Sequence, residues 1–245
     1  MINGRRLVVV MPAYNAEKTL AQTYHDVPHD IVDEMILADD ASADRTVEIA
    51  HALGISVLRH GKNTGYGGTQ KTCYDEALKK GADIVVMVHP DYQYDPRTIP
   101  DLILPLLEGR CDAAFGSRML GKRFLEGGMP LWKFYGNILL TAIGNIVMKT
   151  YLTEWHSGFR AYSRRYLETA HFMQNSNNFV FDTQMIIQGV YHGLKIYELP
   201  IEARYFKEAS SIDFSQSVVY GCSILVSLFR YKLHTLGIRK AKFLR

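Results

Sequence analysis

His89, Asp91 and Gln93 stand at alternate positions directly after the apolar run "IVVMV" at 84–88. An imidazole, a carboxylate and an amide so spaced bring nitrogen and hard-oxygen donors to one strand end. There they can meet a divalent cation or a phosphate. Three readings stay open from these residues alone: a metal site, a metal site altered by a histidine, or a loop that ends a strand. For an isolated histidine the last is the ordinary reading.

Similar polar clusters follow other apolar runs: "PAYN" at 12–15, "DDAS" at 39–42 and "NTGYGG" at 63–68. Each alone reads as turn chemistry, because Asp, Asn, Ser, Gly and Pro make turns for local reasons. Together they mark one edge of a sheet, and ligands of open α/β sheets bind outside the carboxyl ends of the strands. There is no GxGxxG after the first strand and no GxxxxGK[ST], so dinucleotide and P-loop folds lose their main support. Tyr14 and Asp40 instead suggest an aromatic face and a carboxylate acceptor for a base with ring N–H groups, such as uracil or guanine. Asp91 and Gln93 then suit a divalent cation.

The elements that must position these groups follow from periodicity. "RLVVVM", "EMILADD", "ISVLRH", "ADIVVMVHPD" and "CDAAFGSR" read as strands. Residues 17–25, "ADRTVEIAHAL" (N-capped by Ser42 or Asp44), "GGTQKTCYDEALKKG" and "PRTIPDLILPLLEG" read as the helices between them. This alternation predicts right-handed βαβ units and a mainly parallel sheet. It loosens after Arg118. There "PLWKFYGNILLTAIGNIVMKTYL" is a long helix, "TEWHSGFRAYSRR" is irregular, "FDTQMIIQGVYHG" is helical, "KIYELPIEARYF" is a strand, and "DFSQSVVYGCSILVSLFRYKLHTLG" is a final helix.

Composition sets outer bounds. The 245 residues are 47% hydrophobic and 22% charged, with a net charge of +3, as in an ordinary globular chain without a general case for nucleic-acid binding. Three well-separated cysteines (Cys73, Cys111, Cys222) make no CxxC pair, which suits a reducing cytoplasm. The apolar run before Pro12 is too short for a signal-peptide core. No uncharged apolar stretch reaches the roughly eighteen residues of a spanning helix. The end of the chain carries Arg230, Lys232, Arg239, Lys240, Lys242 and Arg245 with no acid, either a solvated terminus or a surface for anionic lipid or phosphate.

Together "VVVMPAYNAEKTL", "LADDASADRT", "HPDYQYDP", "GSR" and "SGFRAYSR" resemble the family-2 glycosyltransferases of GT-A fold, and within them the dolichol- and polyprenyl-phosphate sugar transferases. The resemblance covers about residues 5–212. It implies a single α/β domain with a mainly parallel nucleotide-binding sheet flanked by helices. The GT-A domain would be 1–212, with a nucleotide-sugar and metal half at 5–118 and an acceptor half at 119–212. An amphipathic helix and basic tail would follow at 213–245.

By the same resemblance Pro12, Tyr14, Asn15, Asp40, Asn63 and Gly65 hold the nucleotide, while Asp39 faces the sheet. The family's "DxDxQ" falls on His89, Asp91 and Gln93, where a divalent cation, Mn2+ or Mg2+, bridges the donor diphosphate. Arg118 of "GSR" meets phosphate, Ser157 and Arg160 of "SGFR" lie beside the acceptor, Arg204 is a late basic residue near the phosphates, and "KEASSI" is a short flap. Asp91, Arg118 and Glu154 form the catalytic set. The implied reaction is metal-assisted, inverting transfer of a sugar from a UDP- or GDP-sugar donor to a polyprenyl phosphate or another glycan acceptor. Its expected place is cytoplasmic, peripheral on the inner face of the plasma membrane, with contact to anionic lipid.

The departures from the pattern fall in the same places. "PxYNE" is "PAYNA", the first metal-site aspartate is His89, the aspartate before "SGFR" is Glu154, and Asn63 replaces a frequent lysine. Imidazole tilts the metal preference towards Mn2+. Glu154 is a base if the acceptor is a hydroxyl and an orienting group if the acceptor is already an anion, set against a plain surface acid on a loop. His156 is either a helper or packs beside Trp155.

Overall fold

The structure, a computed structural model, describes residues 1–121, 129–204 and 214–244. Its strands are β1 (Leu7–Ala13), β2 (Glu34–Asp39), β3 (Ser56–Arg59), β4 (Ile84–Met87), β5 (Ala113–Ser117), β6 (Arg160–Ser163) and β7 (Ile196–Pro200). Its helices are α1 (Leu20–Asp26), α2 (Thr46–Ala52), α3 (Tyr66–Lys79), α4 (Ile99–Leu107), α5 (Leu131–Met148), α6 (Arg164–Thr169), α7 (Phe181–Tyr191) and α8 (Phe214–Thr235). The strands form one sheet in the order β3-β2-β1-β4-β6-β5-β7. All pairs are parallel except those of β6, which runs antiparallel to both β4 and β5.

Alternation along the buried strands builds two layers, because successive side chains point to opposite faces. Val8 and Val10 of β1 join Cys73, Tyr74 and Ala77 of α3 and Met185 and Ile187 of α7. Leu7, Val9 and Met11 join Leu20 of α1, Ala50 of α2 and Ile103 of α4 on the other face. A sheet covered on both sides reads as continuous apolar runs, which is why β1 and β4 are legible in the sequence.

Two expectations change. Strand β6 lies within the stretch expected to be irregular, and it occupies an interior place in the sheet, between β4 and β5. Helix α2 starts after Arg45, yet Asp44 still supplies the cap chemistry by accepting from the Thr46 N–H at 3.0 Å. The boundary at 212, and the "KEASSI" flap at 207–212, lie outside the described residues. The C-terminal segment is anchored in the main core: Ile224 and Leu228 of α8, with Ala241, Phe243 and Leu244 beyond it, are buried there. Among the described residues no helix is long and apolar enough to cross a membrane.

Candidate active site

The sheet leaves a cleft of about 880 Å³ over the carboxyl ends of β1, β2 and β4, extending to α5 and α8. Pro12, Tyr14, Asp40, Asn63 and Gly65 line one part of it, His89, Asp91, Gln93 and Arg118 the next. Trp132, Lys133 and Leu140 of α5 and Gln216, Val218 and Tyr220 of α8 close the far part.

On the first side Tyr14 is 57% exposed and offers its ring to the cleft. Asp40 is buried. Its Oδ1 accepts from Thr64 N at 2.7 Å and Thr64 Oγ1 at 2.8 Å and contacts His60 Nδ1 at 2.8 Å, while Oδ2 accepts from Gly65 N at 2.9 Å. Burial alone pushes this carboxyl up, and these hydrogen bonds more than offset it, holding it below the usual range. Gly65 is needed where it is: its φ is +89°, and a Cβ there would meet the Asn177 carbonyl oxygen at 2.7 Å. Asp39 faces away, accepting from Ser42 N at 3.1 Å. Asn15 does not reach the cleft; its side chain accepts from Ala43 N at 3.0 Å and ties the β1 loop to the β2 loop.

In the middle of the cleft, Asp91 Oδ1 accepts from Gln93 N at 3.0 Å, so the two residues share one tight turn. His89 Nε2 contacts the Tyr66 hydroxyl at 3.2 Å, and that hydroxyl donates to Asp182 Oδ2 at 2.7 Å. Burial, followed by Asp182, raises the Tyr66 phenol well above its usual range. No group of three or more His, Cys, Asp or Glu side chains able to hold a metal occurs among the described residues. His89, Asp91 and Gln93 all line this part of the cleft, and between them they offer an imidazole, a carboxylate and an amide, donor types that divalent cations accept.

Glu154 is not a surface acid. It is 2% exposed and accepts from Arg118 N at 2.7 Å and Arg118 Nε at 2.8 Å, with a further contact to Nη2. Its own backbone N–H donates to Glu198 of β7 at 3.0 Å, which also accepts from Thr153 N at 2.7 Å. Ser157 is buried, 2% exposed, and its Oγ accepts from Phe159 N at 3.3 Å. Arg160 is corrected likewise. It is 1% exposed, donates to the carbonyls of Ser157, Trp155 and Asp182, and stacks on Phe115 at 4.5 Å. It braces the "SGFR" loop from behind and does not line the cleft. Arg204 sits outside the cleft lining as well: its backbone donates to Gln93 O at 2.9 Å and its guanidinium to Asp95 at 3.1 Å, steadying the loop that carries Asp91.

Lys133, Tyr66 and Asp182 line the cleft without being among the residues the motifs name, and His156, read as a helper or as packing beside Trp155, lines it too. Lys133 lies beside Arg118, and burial, then that arginine, lowers its ammonium from the usual value. His156 lines the cleft and contacts Tyr220 Oη at 3.0 Å; burial pushes its imidazole down to about 4. Tyr66 falls inside "NTGYGG", where the glycines on either side of it read as a turn. Asp182 had no local signal, since its partner Tyr66 is distant in the chain.

Residues 8–170 match the family described as Glycosyl transferase family 2. An uncharacterized protein of Methanocaldococcus jannaschii is 32% identical over 95% of this chain and 94% of its own length. The UDP-N-acetylglucosamine–dolichyl-phosphate N-acetylglucosaminyltransferase of Methanococcus voltae is 27% identical over 93% of this chain and 96% of its own. Glucosyl-3-phosphoglycerate synthase of Mycobacterium tuberculosis, solved with Mn2+, UDP and glucosyl-3-phosphoglycerate, superposes with a TM-score of 0.73 at 20% identity, over 97% of this chain and 82% of that one. That likeness is one of fold: a mainly parallel sheet flanked by helices, the GT-A architecture. The chain belongs to glycosyl transferase family 2.

Proposed function

We propose that this glycosyltransferase moves a sugar from a UDP- or GDP-sugar to a polyprenyl phosphate at the cytoplasmic face of the membrane. The observation that carries the reading is the single cleft that joins the Tyr14 and Asp40 loops to the amphipathic helices α5 and α8. The dolichyl-phosphate transferases among its relatives support it.

Tyr14 stacks on the base and Asp40, its carboxylate oriented by Thr64 and Gly65, accepts from a ring N–H. Asp91, Gln93 and His89 would hold a divalent cation, which would supply positive charge to offset the charge developing on the leaving group. Arg118, oriented by Glu154, lines the same part of the cleft and offers guanidinium N–H groups there. An acceptor phosphate is already anionic, so it needs positioning and countercharge and no base. A Glu154 closed into an ion pair with Arg118 suits that chemistry, and Lys133 next to Arg118 supplies charge on the acceptor side. Direct attack by the acceptor oxygen on the anomeric carbon breaks its bond to the diphosphate and inverts that carbon.

Several faces of α5 and α8 leave apolar side chains exposed, among them Leu139, Tyr135, Val219 and Phe229. With the basic residues Arg230, Arg239 and Lys240 close by in sequence, they suit peripheral seating on anionic lipid. The test is a screen of radiolabelled UDP- and GDP-sugars with polyprenyl phosphate, with and without Mn2+. Label in the lipid phase supports the proposal. Label only in soluble glycans points to a hydroxyl acceptor with Glu154 as base, and binding without turnover points to a nucleotide-sugar-binding protein.

A further inference from the structure

His89 is held by one edge of its ring. Its Nε2 is 3.2 Å from the Tyr66 hydroxyl oxygen, and a Cβ added to Gly158 would come within 2.4 Å of the same nitrogen. That edge is therefore covered by Tyr66 and by the Gly158 backbone, and only a glycine lets the ring lie there. The rings of Tyr66 and His89 stack with centroids 5.5 Å apart, which fixes the ring plane as well. Nδ1 takes no hydrogen bond from the described residues.

The proton count then decides the tautomer. A tyrosine hydroxyl has one proton to give. Tyr66 gives it to Asp182 Oδ2 at 2.7 Å, a carboxylate whose Oδ1 accepts from Gln70 Nε2 at 3.3 Å and lies 3.8 Å from Arg160 Nη1. The Tyr66 oxygen is left as an acceptor, so the hydrogen between it and His89 belongs to Nε2. In the neutral imidazole the lone pair is then at Nδ1.

We propose that the Asp182–Tyr66–His89 relay fixes His89 as its Nε2–H tautomer and presents Nδ1 as the ligand atom to the divalent cation that accompanies the donor diphosphate. The inference rests on the donor reading above. A carboxylate at position 89 would need no such relay, since its two oxygens are equivalent. An imidazole has to be set to one nitrogen, and the partner of the other nitrogen sets it. Tyr66 and Asp182 are thus positioning residues, and Gly158 makes the space.

The relay is read directly by long-range 1H–15N correlation on protein labelled at histidine, with no metal and no donor present. The His89 resonances are assigned by their loss in His89→Asn. The expected pattern is a protonated Nε2 and an unprotonated Nδ1, averaging to mixed tautomers in Tyr66→Phe, a change that removes one oxygen and keeps the ring. Mn2+ affinity of the UDP complex, counted by electron paramagnetic resonance of the free ion, should weaken by about tenfold in Tyr66→Phe. In a His89→Asp background the same Tyr66→Phe change should leave Mn2+ affinity unaltered, which separates the relay from general loosening of the fold. A protonated Nδ1 in the wild type, or equal Mn2+ affinity with and without the Tyr66 hydroxyl, overturns the proposal. Failure of the wild type to bind either UDP or GDP overturns the donor reading and with it the cation half, whatever the tautomer. UDP binding with the wrong tautomer overturns the relay alone.

Discussion

Arg118 donates from both its backbone N–H and its guanidinium to the two oxygens of Glu154, so one buried carboxylate fixes the end of β5 and the side chain that follows it. Truncating one partner of such a pair leaves an uncompensated buried charge. Glu154→Ala should therefore cost about 3–5 kcal/mol of stability, seen by thermal or denaturant unfolding. Glu154→Gln keeps the shape, and should lower kcat/KM for polyprenyl phosphate by about tenfold without altering the shape of the pH–rate profile. A loss of a thousandfold or more, with the acidic limb of that profile gone, would mark Glu154 as a base.

Asp91 is the one carboxylate among the three residues assigned to the cation. Asp91→Ala should remove at least about 99% of metal-dependent turnover, since a missing charge ligand at a transferring diphosphate costs several kcal/mol. Full activity with its metal dependence intact would show that the cation is held elsewhere.

Tyr14 is exposed and packs on little, so replacing it tests binding without disturbing the fold. Base–aromatic stacking contributes roughly 1–3 kcal/mol per base. Tyr14→Ala should weaken UDP or GDP binding by about tenfold or more in calorimetric titration, with an unchanged unfolding midpoint.

His156 makes stability depend on pH in a defined window. The unfolded chain takes up a proton at this side chain near pH 6.5, while burial keeps the folded imidazole neutral down to about 4. Protonation thus favours the unfolded state across that interval, and stability falls as pH drops through it, by up to about 3 kcal/mol. His156→Gln should flatten the unfolding free energy between those pH values when it is measured in urea at a series of pH.

Phe229 on α8 is 63% exposed, next to the buried Leu228. Phe229→Asp should leave the unfolding free energy within about 0.5 kcal/mol of wild type, as surface changes usually do. Binding to vesicles containing anionic lipid, followed by co-sedimentation, should weaken by about tenfold, because one buried aromatic contributes roughly 1.5–3 kcal/mol. Unchanged sedimentation would remove α8 from the membrane surface.

The parts of this architecture that are local in sequence were readable there. β1, β2 and β4 are apolar runs ended by polar turns, and α3, α5 and α7 follow their patterns to within a few residues. β6 was not readable, because "RAYS" holds only four residues and its strand character comes from partners far along the chain. The motifs placed Tyr14, Asp40, Asp91 and Arg118 in the cleft. They also named Arg160, whose position in the central strand turns it inward, and Asn15, whose side chain is used by the neighbouring loop. A motif match marks where a residue lies on the sheet edge. Which way its side chain turns depends on neighbours that only the fold brings near, as Glu154 with Arg118 and Asp182 with Tyr66 both demonstrate.

Because β6 alone joins β4 to β5, the order in which the chain leaves the ribosome bears on its assembly. β1 to β4 can pair as they emerge, since each finds its neighbour among strands already made. β5 cannot: its place beside β6 exists only after residue 163 has been synthesised. Until then β4 presents an open edge of unpaired backbone groups, the template for pairing with another chain. The nascent protein thus has an interval in which its nucleotide half is formed, its acceptor half is unattached, and the four-residue β4 adds a second open edge to that of β3.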